Sequence, residues 1–535
     1  GWMLADTVVD SVYVNPEDPN YSYTQENGYI STRRCLRIQA SNVIVDGFTI
    51  MRSRADGVEI NADTLRKVIV RNCVVQQSAD NGIDVTEGLH CTVTKNVCAF
   101  NSDHGIVLKT GDQAEPVADC KVAENSCYEN DNDTEDRGGT NGIRIGSGGT
   151  ATTGHHVVER NKVYGNEDTG IEVNGSYEDT LRFNQSWENG DHGYDHLLAR
   201  RILHIGDMAY GNNRSGMSVE ESARRIEVHN CVMADNGRES GRHDYELEVI
   251  RAARDSFVGD YNVMYRPSRS EAGGCEHGEE ADTILVSWRH KDLQTHTPCT
   301  QRCADVDSCF GTVARFASAP VNVNDNEEHS RQGDPKFANA AIANFRPFWS
   351  SPMIEAADTT VSGWTPTDAA GFARYDLGGK SNAGNPAGAF ADIGAFEYSD
   401  GMSPIDSVGG AYNTVSIGWT ATGRYGNASY KPLWYKIYVD GVLKRTQSAA
   451  NMSWPGYIAE AGLSASPCTQ HSVYVTTMAE SISTTHTDVT QSNTVSVTTC
   501  CSPGCSDQPD LSSRRPREEA IDIALALEWS GANPS

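Results

Sequence analysis

Apolar residues in this chain come in runs of two or three, rich in β-branched side chains and broken by polar turns. Val68-Ile69-Val70, Thr92-Val93-Thr94 and Ile226-Glu227-Val228 are typical. Such runs are too short for helices and predict short strands. One polar corner recurs between them. Asp56-Gly57-Val58, Asp80-Asn81-Gly82-Ile83, Asp103-His104-Gly105-Ile106, Thr140-Asn141-Gly142-Ile143, Asp168-Thr169-Gly170-Ile171, Asp191-His192-Gly193-Tyr194 and Arg214-Ser215-Gly216-Met217 place their glycines 25, 23, 37, 28, 23 and 23 residues apart. Between corners, Asn96/Asn101, Asn125/Asn130, Asn161/Asn166 and Asn184/Asn189 pair at a five-residue separation. Asn tolerates left-handed backbone and can bond onto its equivalent one coil away, so these columns predict ladders.

A repeat of this length signals a solenoid, in which each unit buries its apolar face only against its neighbours. Three short strands per coil predict an all-β fold, a right-handed parallel β-helix. A repetitive sandwich, the alternative, would show alternating hairpin turns. The helix is expected over residues 40–400, most regular at 40–236, with long loops in its C-terminal part. Residues 1–39 read as an irregular N-terminal segment or a partial first coil, poorly equipped to cap the solenoid. The long interval at 131–149 predicts a projecting loop. Residues 401–499 alternate as strands of a small β-sandwich, with a hairpin turn at Asp440-Gly441. Residues 500–535 form a Cys/Pro tail with a short amphipathic helix.

These repeats, with Asp191-His-Gly-Tyr-Asp-His196 and Ala209-Tyr-Gly-Asn212, resemble the right-handed β-helix proteins that include pectate lyases, alginate lyases and epimerases. Asp334-Pro-Lys-Phe337, Ser351-Pro-Met-Ile-Glu-Ala-Ala357 and Asp392-Ile-Gly-Ala-Phe-Glu-Tyr398 are similar to the closing segment of such helices, and the last is expected to seal the C-terminal end with aromatics. The resemblance covers about residues 30–398. It implies a polysaccharide partner but extends to no matched catalytic motif, since no Asp-Pro-His-Asp/Glu occurs. The C-terminal region, with Trp419 on an early strand and Tyr474 on a late one, resembles a fibronectin type III module.

The formal charge of −28, from 44 basic and 72 acidic residues, argues against nucleic acid and permits bound cations such as Ca²⁺. No apolar run reaches membrane-spanning length. Residue 1 is Gly with no signal peptide before it, as in a processed mature form or a fragment. Fifteen cysteines favour an oxidising, secreted or cell-surface setting. Register stacks Cys91 on Cys120 and Cys98 on Cys127, within disulfide reach or as free thiols of a core column. Cys299, Cys303 and Cys309, and Cys468 with Cys500, Cys501 and Cys505, read as disulfide partners. No Cys-x-x-Cys-His motif for haem occurs, and nothing calls for a nucleotide.

In a β-helix a site gathers side chains from several coils. The residue two after each corner glycine should point outward, giving the column Glu59, Asp84, Val107, Arg144, Glu172, Asp195 and Ser218. Its densest part predicts a catalytic patch of Glu172, Asp191, His192, Tyr194, Asp195 and His196. Arg144, Arg200 and Glu220 are expected to bind substrate, and Asp168, Glu172 and Asp195 to hold a metal. Such a patch suits β-elimination or epimerisation of a uronic acid, or hydrolysis by a carboxyl pair. Tyr177, Trp187, Tyr194, Tyr210 and Arg144 are candidates for lining a glycan face. Two readings follow. One is a secreted protein that binds or modifies polysaccharide through a solenoid face. The other is a structural extracellular protein, a surface-layer, adhesin or filament subunit, self-associating through the solenoid end or the C-terminal tail. Asp80, Asp84, Asp103 and His104 repeat the local pattern, so the pattern alone does not mark catalysis.

Overall fold

A computed structural model describes residues 36–499, apart from 111–116, 132–138, 147–152, 221, 239–244, 268–284, 290–308, 323, 341–342, 348–350, 372–373, 375–380, 399–404, 411–413, 422–429, 449–455, 482–483 and 492–494. The N-terminal segment before residue 36, most of the projecting loop at 131–149 and the tail from 500 lie outside these residues.

The chain winds as a parallel β-helix whose coils stack on three faces, the first, second and third sheets; long strands join the first two into one 23-stranded sheet. The first sheet runs from Leu36–Ile38 through Ile83–Leu89, Ile171–Asn174 and Tyr194–Leu197 to Val286–Arg289. The second follows a corner later, from Ile44–Asp46 through Thr180–Arg182 and Arg200–Ile205 to Val258–Asp260. The third has ten strands, from Thr49–Met51 to Arg331–Gln332. Parallel stacking of the first sheet stops where Cys309–Phe310 pairs antiparallel with Val286–Arg289.

Alternation in these short strands makes the core. Ile83/Val85, Ile106/Leu108, Ile143/Ile145 and Ile171/Val173 point inward in register along the first sheet, all fully buried. Each such side chain stabilises the fold by roughly 1.5–3 kcal/mol. The third sheet contributes Val75, Cys98, Cys127 and Val163 to the same interior. Cys98 and Cys127 are register partners as expected, yet Cys73, Cys91, Cys98, Cys120, Cys127 and Cys231 are all buried free thiols. They fill the core as small apolar groups. Cys299, Cys303, Cys500, Cys501 and Cys505, the partners expected for Cys309 and Cys468, lie outside the described residues.

Both asparagine ladders form. In one, Nδ2 of Asn96, Asn125 and Asn161 donates to the next Asn at 3.0 Å, ending on Asp207 through Asn184 at 2.9 Å. The other climbs Asn101, Asn130, Asn166, Asn189, Asn212 and Asn236 at 2.8–2.9 Å, and Glu246 closes it. Both ladders satisfy corner amides that would otherwise be buried without partners.

Two compact units divide the chain. The first holds the coils together with 355–365 and 376–395. Its closing segment lies along the flank of the coils, where Gly394 N–H donates to the Asn230 carbonyl at 2.8 Å and Trp364 packs edge-on to Phe183. The second unit includes two antiparallel sheets. One orders Ile405–Gly410, Thr414–Ala421 and Gly456–Ser464, and the other centres on Tyr430–Val439 and Gln470–Ser481. Val439 pairs with Val442 across Asp440-Gly441, both in left-handed backbone, so the hairpin forms as predicted. No helix among the described residues is long and apolar enough to cross a membrane.

Candidate functional site

The outward column of the first sheet stacks Arg37, Glu59, Asp84, Val107, Arg144, Glu172, Asp195, Ser218, Glu248 and Ser287 in register. The inward partners Ile171, Val173, Met217 and Val219 are buried, which fixes Glu172, Asp195 and Ser218 on the outer face. Before the strand, the corner column carries His104, Asn141, Thr169, His192 and Ser215 side by side.

His192 first serves its own turn. Its Nδ1 accepts the Ser215 amide at 3.1 Å, as Asn141 Oδ1 accepts that of Thr169 at 3.1 Å. A neutral imidazole accepting at Nδ1 carries its proton on Nε2. That Nε2 faces Asp191 Oδ1 at 3.6 Å and Glu220 Oε1 at 3.8 Å. One donor atom each from His192, Asp195 and Glu220 lies within 4.8 Å of the others.

The carboxyls divide into held and unheld groups. Glu172 accepts from the side-chain amides of Asn141 and of Asn174, the latter at 2.7 Å, and sits 3.5 Å from Arg144 Nε. Glu220 accepts from Ser218 Oγ at 2.7 Å, and Asp191 pairs with Arg214 at 2.7 Å. Asp195 is 9 % exposed and its Oδ1 has no hydrogen-bond partner. Burial drives its pKa well above the ordinary carboxyl range, reinforced by Glu220, Glu172, Asp191 and Asp168 around it. Asp168 rises to about 7, by burial and then by the charge of Asp191, with which it hydrogen-bonds. The face therefore offers a retained acid proton at Asp195 beside a set of carboxylates.

The structure brings Glu172, Asp191, His192, Asp195 and Glu220 together as expected, and moves three predicted residues elsewhere. Tyr194 and His196 point into the coil interior, because they flank outward Asp195 on an alternating strand. Tyr194 Oη donates to the buried carbonyls of Asn184 and Met208, with oxygen–oxygen distances of 3.1 and 3.2 Å. His196 links Ser218 O to His204 and on to Asp207, at 2.7, 2.7 and 2.8 Å. Arg200 lies past the Leu198 corner on the second sheet, exposed. Arg144 remains on the face, with its guanidinium set between Glu172 and His104 Nε2, the latter 3.3 Å away. Of the expected metal trio, only Asp195 falls in the compact group, which His192 and Glu220 complete.

Trp187 stacks on Tyr164 at 4.3 Å on the third sheet and is 7 % exposed, and Tyr210 lies under Arg238. Neither presents a ring face to a sugar. Glu248, which accepts from Ser215 Oγ at 3.1 Å, joins the face unforeseen. The insertion around 237–244 breaks the glycine spacing that would have revealed its register. Asn174, which helps hold Glu172, was open to the same alternation rule, two residues along the strand.

No protein-family model and no curated protein matches this sequence. Among solved structures, an Azotobacter vinelandii mannuronan C-5 epimerase A-module is 16 % identical, over 44 % of this chain and 66 % of that one, with a TM-score of 0.36. A double mutant of the periplasmic alginate epimerase AlgG is 16 % identical over 38 % of this chain and 47 % of its own, so this chain spans about half its length, with a TM-score of 0.30. A pectate lyase is 13 % identical over 69 % of this chain and 86 % of its own, with a TM-score of 0.33.

Proposed function

We propose that the protein modifies a polysaccharide on the outer face of the first sheet, with Asp195 as proton donor and Glu220 as its carboxylate partner. The observation that carries this reading is the buried Asp195 carboxyl, whose Oδ1 has no hydrogen-bond partner and whose pKa is raised by burial and by the carboxylates around it. In glycosidic hydrolysis, Asp195 O–H protonates the bridging oxygen as the C–O bond breaks, and Glu220, whose donor oxygen lies within 4.8 Å of that of Asp195, attacks the anomeric carbon to form a glycosyl ester that water then hydrolyses. His192 points its Nε2–H towards Asp191 and Glu220, at 3.6 and 3.8 Å an electrostatic contact longer than a hydrogen bond. This acidic face suits a neutral sugar better than a uronate, whose carboxylate it repels.

A second reading rests on the same orphaned oxygen. Asp195 Oδ1 and Glu220, whose donor atoms lie within 4.8 Å, would supply carboxylate oxygens to Ca²⁺, whereas His192 cannot ligate through Nε2 while its Nδ1 accepts the Ser215 amide. Bound there, the ion would neutralise a sugar carboxylate and make the face one for lyase or epimerase chemistry. We infer a secreted or cell-surface setting from the cysteine groups around Cys309 and Cys468. The order of the two C-terminal sheets supports a fibronectin type III-like module.

The test is incubation with neutral and uronate polysaccharides, in Ca²⁺ and in EDTA, reading reducing ends and unsaturated-product absorbance in parallel. New reducing ends in EDTA, lost in Asp195→Asn, support the hydrolytic reading. Unsaturated ends that need Ca²⁺ support the second. Silence in both channels, with no NMR sign of epimerisation, returns the protein to a structural role in assembly.

A further inference from the structure

The corner that follows the Leu198 turn, at the start of the second sheet, carries a column of non-glycine residues in left-handed backbone: Lys67, His90, Asp119, His155, Glu178, Arg201 and Arg225. Side chains there project into solvent, and for most of the column each charge meets an opposite one on the next coil. His90 faces Asp119 at 3.8 Å, His155 faces Glu178 at 3.3 Å, and Glu178 also pairs with Arg201. The pattern then breaks. Arg225 follows Arg201, and in the adjoining column Arg224 is the register partner of Arg200. All four arginines are exposed, and Arg200, Arg224 and Arg225 have no carboxylate within ion-pair distance among the described residues.

Like charges stacked one strand apart are destabilising, at about 0.2–1 kcal/mol for a cross-strand pair, and folding gives no return for them. Opposite charges were available, since the chain has 72 acidic residues to 44 basic ones. Tyr177, half-buried, is the strand-register partner of Arg200, and its ring packs edge-on to His155 at 4.9 Å. An aromatic ring beside unpaired guanidiniums offers one surface to a sugar ring and fork-shaped donors to its anionic groups.

We propose that Tyr177, Arg200, Arg224 and Arg225 form a second polysaccharide site, distinct from the acidic face, that binds a glycan carrying carboxylate or sulfate groups. It deepens the polysaccharide reading above and gives an acidic stretch of polymer a foothold that the Asp195 face itself repels. Successive coils offer guanidiniums about 4.8 Å apart, a spacing on the scale of one sugar unit.

The test measures binding of the full chain to polygalacturonate and heparin, with neutral dextran and duplex DNA as comparisons, for the parent, R200Q/R224Q/R225Q, R200K/R224K/R225K and Asp195→Asn. The glutamine variant should bind both acidic glycans at least about tenfold more weakly. Its melting temperature should be unchanged or raised, because a repulsion is removed. The lysine variant, which keeps charge but not the fork, should fall between, and Asp195→Asn should bind like the parent even if turnover is lost. Undiminished binding by the glutamine variant overturns the site. Binding lost in Asp195→Asn instead places the glycan on the acidic face. DNA bound as tightly as polygalacturonate, with equal loss in the variant, makes the patch a general polyanion surface and overturns the glycan assignment.

Discussion

Two corners of this solenoid share the sequence Asp-His-Gly, and only one of them builds a candidate site. At Asp103-His104-Gly105 the histidine caps the next turn through Nδ1, and Arg144 Nη1 stands 3.3 Å from Nε2. Burial, then Arg144 and Lys109, lower its pKa to about 3. The outward carboxyl nearby, Asp84, is matched by Lys109 at 2.7 Å and by Thr86 Oγ1 at 2.6 Å, and titrates at about 6. At Asp191-His192-Gly193 the same cap is made and Arg214 pairs with Asp191, but Asp195 has Glu172, Glu220 and Asp168 around it and keeps an unpartnered oxygen. The local motif sets the turn, and the columns across coils decide what chemistry the turn borders.

The largest expected effect separates the two carboxyls. Asp195→Asn should lower turnover by about 10²–10⁴, the usual span for a general acid, while Asp84→Asn leaves it within about twofold. Equal losses in a product assay would erase the distinction between the corners. Next, Glu220→Gln should cost about 10²-fold. It also removes the charge that most raises Asp195 after burial, so the alkaline limb of the pH–rate profile should move to lower pH. A limb that stays in place would detach Glu220 from Asp195.

His192→Asn is subtler. Asn141 shows that an amide can fill this corner and accept the next turn's N–H. Stability should therefore hold within about 1 kcal/mol in urea unfolding, while turnover falls about tenfold for want of the Nε2 donor. The smallest effect concerns carboxyls raised for structure alone. Glu246, at the end of an Asn ladder, and Glu327, which accepts from Asn262 at 3.0 Å, both rise to about 7 through burial. An unfolded glutamate ionises near 4.3. Between about pH 4.3 and 7 the folded chain therefore binds protons the unfolded chain has lost, and stability falls as pH rises. Glu246→Gln and Glu327→Gln should each raise stability at pH 8 by on the order of 1 kcal/mol and change little at pH 4. The reverse pH dependence would mean these ladder ends are ionised in the fold.

Much of this was legible in the chain. The glycine spacing fixes register wherever coils follow one another without long insertions, so the adjacency of Glu172 and Asp195 follows by counting residues. The same counting, carried one residue either side, places Tyr194 and His196 inside. Local polar density suggests a surface patch there, but alternation along the strand decides which side chains face out. Arg200 was assigned by proximity in sequence, although the Leu198 corner turns it onto another sheet. Glu248 was hidden by the insertion before it, and the unpartnered oxygen of Asp195 depends on which donors reach across coils. The cysteine columns were placed correctly, but stacking distance alone does not decide oxidation, and a packed core accepts free thiols there.

The most direct measurement is a ¹³C NMR titration of the Asp195 and Asp84 carboxyls in the same sample, assigned through the two Asn variants. Asp84 should titrate at about 6, and Asp195 should hold its proton to clearly higher pH. An Asp195 that titrates with or below Asp84 would contradict this, leaving the acidic face without its proton donor.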